Sequence, residues 1–323
     1  MADNTLEQWI QHADALATQG RWDDALAVYH RILEHDPRNL DVRERVISIS
    51  IKKADYQEVI HQHMTCAEIF RVDGDPEAAI DCYDKILRLE ETVQNKGAAI
   101  KPGQGDDLSH VQALVGQFKP EIFYQIGRFN LERQAVDVAL QYLRKSHELH
   151  PGRWQTHMAL GQAYMEKELD KEAIGEFQEV LRLAPEESAQ AYEMLGEVFV
   201  RQGRSPHTTM VWFQHAGEFY LKKGLLDDAV RTYERILTLD PSNRDIINHL
   251  GELYLKQGAR EKAVQVYFTL AQMYEPEGVL DKVITLYENI VQLDPGNEHA
   301  RNKLIAIYQG IVERDPSNYG MRM

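Results

Sequence analysis

Three segments of this chain repeat one order of residue types: GRWDDALAVYHRILEHDPRN over 20–39, KGLLDDAVRTYERILTLDPSN over 223–243 and PEGVLDKVITLYENIVQLDPGN over 276–297. Each runs from Gly through acidic residues to Ala or Val, then Tyr, an aliphatic pair and Asp-Pro. Internal repetition limits the possible folds more than composition does, because a short repeated unit cannot bury its apolar face alone and must stack on its neighbours. Before such segments stand AEIFRVDG (67–74), GQAYMEKE (161–168), GEVFVRQG (196–203), GEFYLKKG (217–224) and GELYLKQG (251–258). Small residues such as Gly161, Gly196, Gly217 and Gly251 fall where one helix must approach the next closely. Tyr29, Tyr83, Phe177, Tyr233 and Tyr267 are the large side chains that fill the space so left. Pro37, Pro151, Pro185, Pro241 and Pro295 follow each second helix, where a ring without an N–H ends it.

These positions recur in phase, and the pattern resembles the tetratricopeptide repeat (TPR), a helix–turn–helix unit of 34 residues. The resemblance implies an all-α, right-handed α-solenoid. Two-helix units are expected at 6–39, 120–153 and 154–187. The intervals 40–93, 188–241 and 242–295 run for about 54 residues and hold three helical stretches each. Their middle stretch fits two roles. In 261–274, Ala263 and Tyr267 read as the second helix of one repeat, while Tyr267, Leu270, Ala271 and Tyr274 read as the first helix of the next. The expected organisation is therefore an N-terminal block (1–93), a Gly-rich linker with a short helix (94–119), a main array (120–297) and a capping helix with tail (298–323). The linker contains QNKGAAIKPGQGDD, with Asp107 available to cap the short apolar segment that follows; it is expected to be a connector packed on the solenoid, the alternative being a lid lying in a groove.

The chain has 323 residues and a formal charge of −15. Residues 1–93 carry 10 basic and 19 acidic side chains, and the rest carry 26 and 32, so negative charge is densest at the start. This balance argues against nucleic acid as a partner, which needs clustered Lys and Arg. No apolar run is long enough for membrane insertion, and MADNTLEQWIQ lacks the basic and apolar regions of a signal peptide. With two cysteines, Cys66 and Cys82, the expected address is the cytoplasm.

No motif for catalysis or cofactor binding stands out: there is no phosphate loop, nucleophile elbow or HExxH pair. His61 and His63 are two apart on a helix and point to different faces, and the cysteines fall at packing positions. The expectation is a non-catalytic interaction scaffold without cofactor or metal, of open oligomeric state. The alternatives are a structural subunit of a larger complex and a sensor gated by 94–119. By resemblance, inward positions of each first helix line a concave groove. The ninth position gives Asp14, Glu68, Arg128, Gln162, Glu197, Glu218 and Glu252; the twelfth gives Ala17, Arg71, Leu131, Met165, Val200, Leu221 and Leu255. With Tyr124 and Asn248, an acidic row beside an apolar row would suit a basic, apolar protein or peptide segment. Glu197, Glu218 and Glu252 precede Arg201, Lys222 and Lys256 by four, a spacing that supports a helix without any ligand. Asp14 and Glu68 have no such neighbour, which makes them the cleaner candidates.

Overall fold

The computed structural model describes residues 2–97 and 105–314, with side chains for 6–93 and 109–313. Two compact units divide at Glu168 and Leu169. The first contains α1 (Ala2–Thr18), α2 (Trp22–His35), α3 (Leu40–Lys53), α4 (Tyr56–Val72), α5 (Pro76–Leu87), α6 (Leu89–Gly97), α7 (Gly105–Glu132), α8 (Val136–Leu149) and α9 (Trp154–Glu166). The second contains α10 (Asp170–Leu183), α11 (Ala189–Arg201), α12 (Pro206–Lys222), α13 (Leu226–Leu239), α14 (Arg244–Lys256), α15 (Arg260–Tyr274), α16 (Leu280–Leu293) and α17 (Glu298–Arg314). The described residues form no strand, and each unit is an all-α array in which successive helices pack on one another.

The Asp-Pro-x-Asn motif is a helix start. In 36–39 and 294–297 the Asn amide donates to the Asp carboxylate at 3.0 Å, and the same Asn accepts the backbone N–H three residues on, from Val42 and Ala300. Asn243 caps α14 likewise through Ile246. One residue thus fixes the turn and satisfies an orphan donor of the next helix.

Packing between successive helices repeats one contact. A Cβ built on Gly196 would sit 2.8 Å from the Phe213 ring; on Gly217, 2.7 Å from Tyr233; on Gly251, 2.5 Å from Tyr267. Gly127 meets Leu143 in the same way at 2.6 Å, with Leu143 replacing the aromatic residue. The three-helix intervals follow from this rule. α12 offers Phe213 to the helix before it and Gly217 to the helix after it, so it closes one pair and opens the next. α15 carries Tyr267 for α14, and its Phe268 ring meets Tyr287 of α16 edge-on at 5.9 Å.

One region differs from its sequence pattern. The boundary expected at 119/120 falls inside α7, which runs through Pro120. Part of the expected linker is helical as α6 and the start of α7, while 98–104 lie outside the described residues, as does the side chain of Asp107. A proline inside a helix costs about 3 kcal/mol, since it lacks the N–H and crowds the carbonyl four residues back. Val111, Val115, Ile122 and Ile126 are buried on both sides of it, and Ser146 donates its hydroxyl to the Pro120 carbonyl at 2.7 Å. Packing on both flanks offsets the local break.

Candidate functional site

Within the first unit, Asp14 is committed to structure. It accepts the Tyr29 hydroxyl and the Arg45 guanidinium, the latter at 3.0 Å, and so ties α1 to α2 and α3. Glu68 is held by both arms of Arg71, three residues on, which keeps its carboxyl below the usual range. The expectation that these two carboxylates have no cation close by is therefore corrected: the cation of Asp14 comes from α3, two helices on, and that of Glu68 from the i+3 position, neither of which an i+4 scan sees. The Tyr124 ring lies under the Arg153 guanidinium at 4.5 Å, and Leu131, Gln162 and Met165 are half-buried. His61 is exposed and His63 buried, and burial drives His63 down to about 4. Cys66 and Cys82 are buried thiols, and burial pushes Cys82 up to about 12.

In the second unit the charges do not pair as expected along single helices. Arg201 reaches Asp170 of α10, and Lys222 reaches Glu186. Glu197 takes Arg235 of α13 instead, through Nε at 2.8 Å and Nη2 at 2.9 Å, and this bidentate bond holds the guanidinium above its ordinary range. Nearby, Glu193 accepts the Tyr220 hydroxyl at 2.7 Å and lies 3.7 Å from Arg231. α11 and α13 are thus bridged across the middle helix α12. Glu218 is 68% exposed, with the His215 Nδ1 3.8 Å away. Leu221 is half-buried and Leu255 exposed.

The next three-helix interval is built alike and remains open. Between α14 and α16, over α15, lies a cleft of about 390 Å³ lined by Arg244, Asp245, Asn248, Leu270, Tyr274, Asp281, Lys282, Thr285, Leu286 and Asn289. Leu270 and Leu286 are buried at its base. Its two cations are engaged. Arg244 grips Glu277, one bond at 2.8 Å, and holds that carboxyl below its usual range. Arg244 and Lys282 each lie 4.6 Å from the Tyr274 ring centre, and Lys282 donates to the Tyr274 hydroxyl at 3.2 Å. Among the described ion pairs, Asp245 and Asp281 have no cation, so the uncommitted charge of the cleft is negative. Asn248 donates to Glu252 at 3.2 Å, placing that carboxylate beside the cleft.

Of the residues singled out from sequence, the cleft contains Asn248 and adjoins Glu252. Sequence reasoning missed Tyr274, Asp281, Lys282 and Asn289, which belong to the middle and third helices. The signal was a comparison at 54–55 residues: Glu193, Glu197, Arg231 and Arg235 in one interval stand where Asn248, Glu252, Thr285 and Asn289 stand in the next. No group of three or more His, Cys, Asp or Glu side chains that could hold a metal ion occurs among the described residues, nor is any helix there long and apolar enough to cross a membrane.

Three tetratricopeptide repeat family models match residues 6–49, 124–188 and 220–274, together just over half of the chain. No curated protein matches the sequence. Among solved structures, the chain is similar to YrrB, described as a TPR protein with an unusual peptide-binding site, at 22% identity over 56% of this chain and 90% of that one, with a TM-score of 0.28. It is similar to the C-terminal part of a TPR repeat-containing protein from Cytophaga hutchinsonii, at 17% identity over 91% and 99%, with a TM-score of 0.33. The P58(IPK) TPR domain matches at 13% identity over 96% and 99%, with a TM-score of 0.30.

Proposed function

The chain belongs to the tetratricopeptide repeat family, and from that premise we propose that it is a non-catalytic interaction scaffold whose cleft over α15 takes a segment of a partner protein. The observation that carries this reading is the open space between α14 and α16. The preceding interval bridges the equivalent helices with Arg235 on Glu197, and this one does not. A volume of about 390 Å³ suits a few side chains of an extended segment, not a whole helix. The buried Leu270 and Leu286 favour an apolar side chain, and the unengaged Asp245 and Asp281 favour a basic one.

This assignment moves the basic, apolar ligand from the whole inward row to one place. Asp14, Glu68 and Glu197 have their cations within the protein and have little to offer a partner. The test is selection of peptides from a random display library on the wild-type chain and on the Asp245→Lys, Asp281→Lys double variant. Wild type should select segments pairing a basic with an apolar side chain, and the double variant should lose them. Equal selection by both proteins would contradict the reading.

A further inference from the structure

We infer that the cleft recognises arginine in the partner segment, and that Glu252 is the residue that reads it. This rests on the cleft being the binding site. The neighbouring interval already shows what such a site holds. There, the guanidinium of Arg235 is fixed by three features. Glu197 receives it with two parallel bonds, the Phe213 ring lies 6.0 Å beneath it, and α13 carries it across from the far wall.

The carboxylate and the ring recur in the open interval. Glu252 follows Gly251 as Glu197 follows Gly196, and Tyr267 packs on Gly251 as Phe213 packs on Gly196. The Glu252 charge lies near enough to the Tyr267 hydroxyl to help raise its pKa, after burial. What changes is the third feature, because Asn289 stands where Arg235 does, and Asn289 lines the cleft. No cation reaches Glu252 among the described ion pairs, and its described polar partner is the Asn248 amide. A guanidinium entering from outside would find the carboxylate and the ring that Arg235 finds from within. The side-chain oxygens of Asn248 and Asn289 can accept its remaining N–H groups.

The preference is for arginine over lysine. A planar fork can bond both oxygens of one carboxylate and lie on a ring face, whereas an ammonium offers a point charge. An unbranched side chain with a neutral head offers no charge at all.

The probe is an acetylated, amidated octapeptide of alanine with arginine at its third and sixth positions. It is titrated calorimetrically against the full chain, beside versions carrying lysine, citrulline or norleucine. Arginine should bind at least about tenfold more tightly than lysine, and citrulline and norleucine should not bind measurably. Glu252→Gln should weaken the arginine peptide by about tenfold or more. Asn289→Arg, which supplies the guanidinium from α16 itself, should abolish binding. No binding of the arginine peptide by the wild type, or equal binding by Glu252→Gln, would overturn the inference. Binding of all four peptides alike would overturn arginine recognition and leave the cleft as a segment site. Arginine binding that depends on Glu252 but survives Asp245→Lys, Asp281→Lys would keep Glu252 as the arginine reader and overturn the cleft lined by Asp245 and Asp281 as its site.

Discussion

Residues 188–241 and 242–295 share three helices, a glycine-to-aromatic contact between the first and middle helices, and a middle helix with two roles, yet one is bridged and the other is open. The shared part is set by small-to-large packing: Gly196 on Phe213 in the first, Gly251 on Tyr267 in the second. The difference lies in a few surface positions, where Glu193, Arg231 and Arg235 give way to Asn248, Thr285 and Asn289, while the carboxylate of Glu197 recurs as Glu252. Packing residues therefore determine the array, while residues beside them decide which interval is bridged and which is open. A third interval, 40–93, extends the comparison, because His63 of α4 stands where Phe213 and Tyr267 stand.

That histidine gives the largest expected effect. Its pKa falls from 6.5 to about 4, chiefly through burial, with Lys85 adding to the fall and Asp81 opposing it. Below pH 6.5 the unfolded chain takes up a proton that the folded chain refuses, so stability is full above that pH and falls as pH drops towards 4. The loss amounts to about 3 kcal/mol. His63→Phe, which places in 40–93 the residue type of 188–241, should remove most of this acid sensitivity. Urea unfolding at pH 7 and pH 4.5, with hydrogen exchange reporting on residues 40–93, checks it.

The shared framework should break equally in both intervals. Gly196→Ala and Gly251→Ala each force a Cβ into a buried ring from rigid helix backbone, and each should cost about 2 kcal/mol. If one is neutral by thermal unfolding, the two intervals are not packed alike.

Opening the bridged interval should cost less. Arg235 and Glu197 are each about one-third exposed, so Arg235→Asn should lose about 1 kcal/mol of stability. It should also lead α11 and α13 to exchange amide hydrogens faster while α14 and α16 are unchanged. Uniform exchange across both intervals would break the comparison.

The smallest effect concerns how the first helix of each interval ends. Gly203 and Gly258 close α11 and α14 in the left-handed region, with φ of 63° and 76°, but α3 closes with Ala54 at φ 57°. Ala54→Gly relieves that strain against a larger entropy of the unfolded chain, for a net gain of about 0.5 kcal/mol. A lowered melting temperature would contradict this reading of the turn.

Much of the fold was legible because its punctuation is local. Asp-Pro marks where second helices end, and the double reading of 261–274 through Ala263, Tyr267 and Ala271 anticipated a middle helix that packs both ways. α7 was not legible in the same way. Pro120 signals a stop, and only the burial of Val115 and Ile122 on either side explains why the helix continues. The site was less legible again. Asp14 finds Arg45 at 31 positions' distance and Glu197 finds Arg235 at 38, so neither pairing lies within the turn or two that helix periodicity describes. The cleft gathers residues from three helices, whereas the sequence reading assigned the groove to first helices alone.

The two intervals are proposed to offer the same guanidinium site, filled from within in one and left for a partner in the other. A pair of double-mutant cycles on the full chain tests this most directly: Glu197→Gln with Arg235→Asn, and Glu252→Gln with Asn289→Arg, each read by unfolding free energy. The predicted result is a coupling of about 1 kcal/mol in both cycles, with the arginine introduced at 289 stabilising the chain only while Glu252 is present. Coupling in the first cycle and none in the second would show that the two grooves are not equivalent, and would contradict the claim.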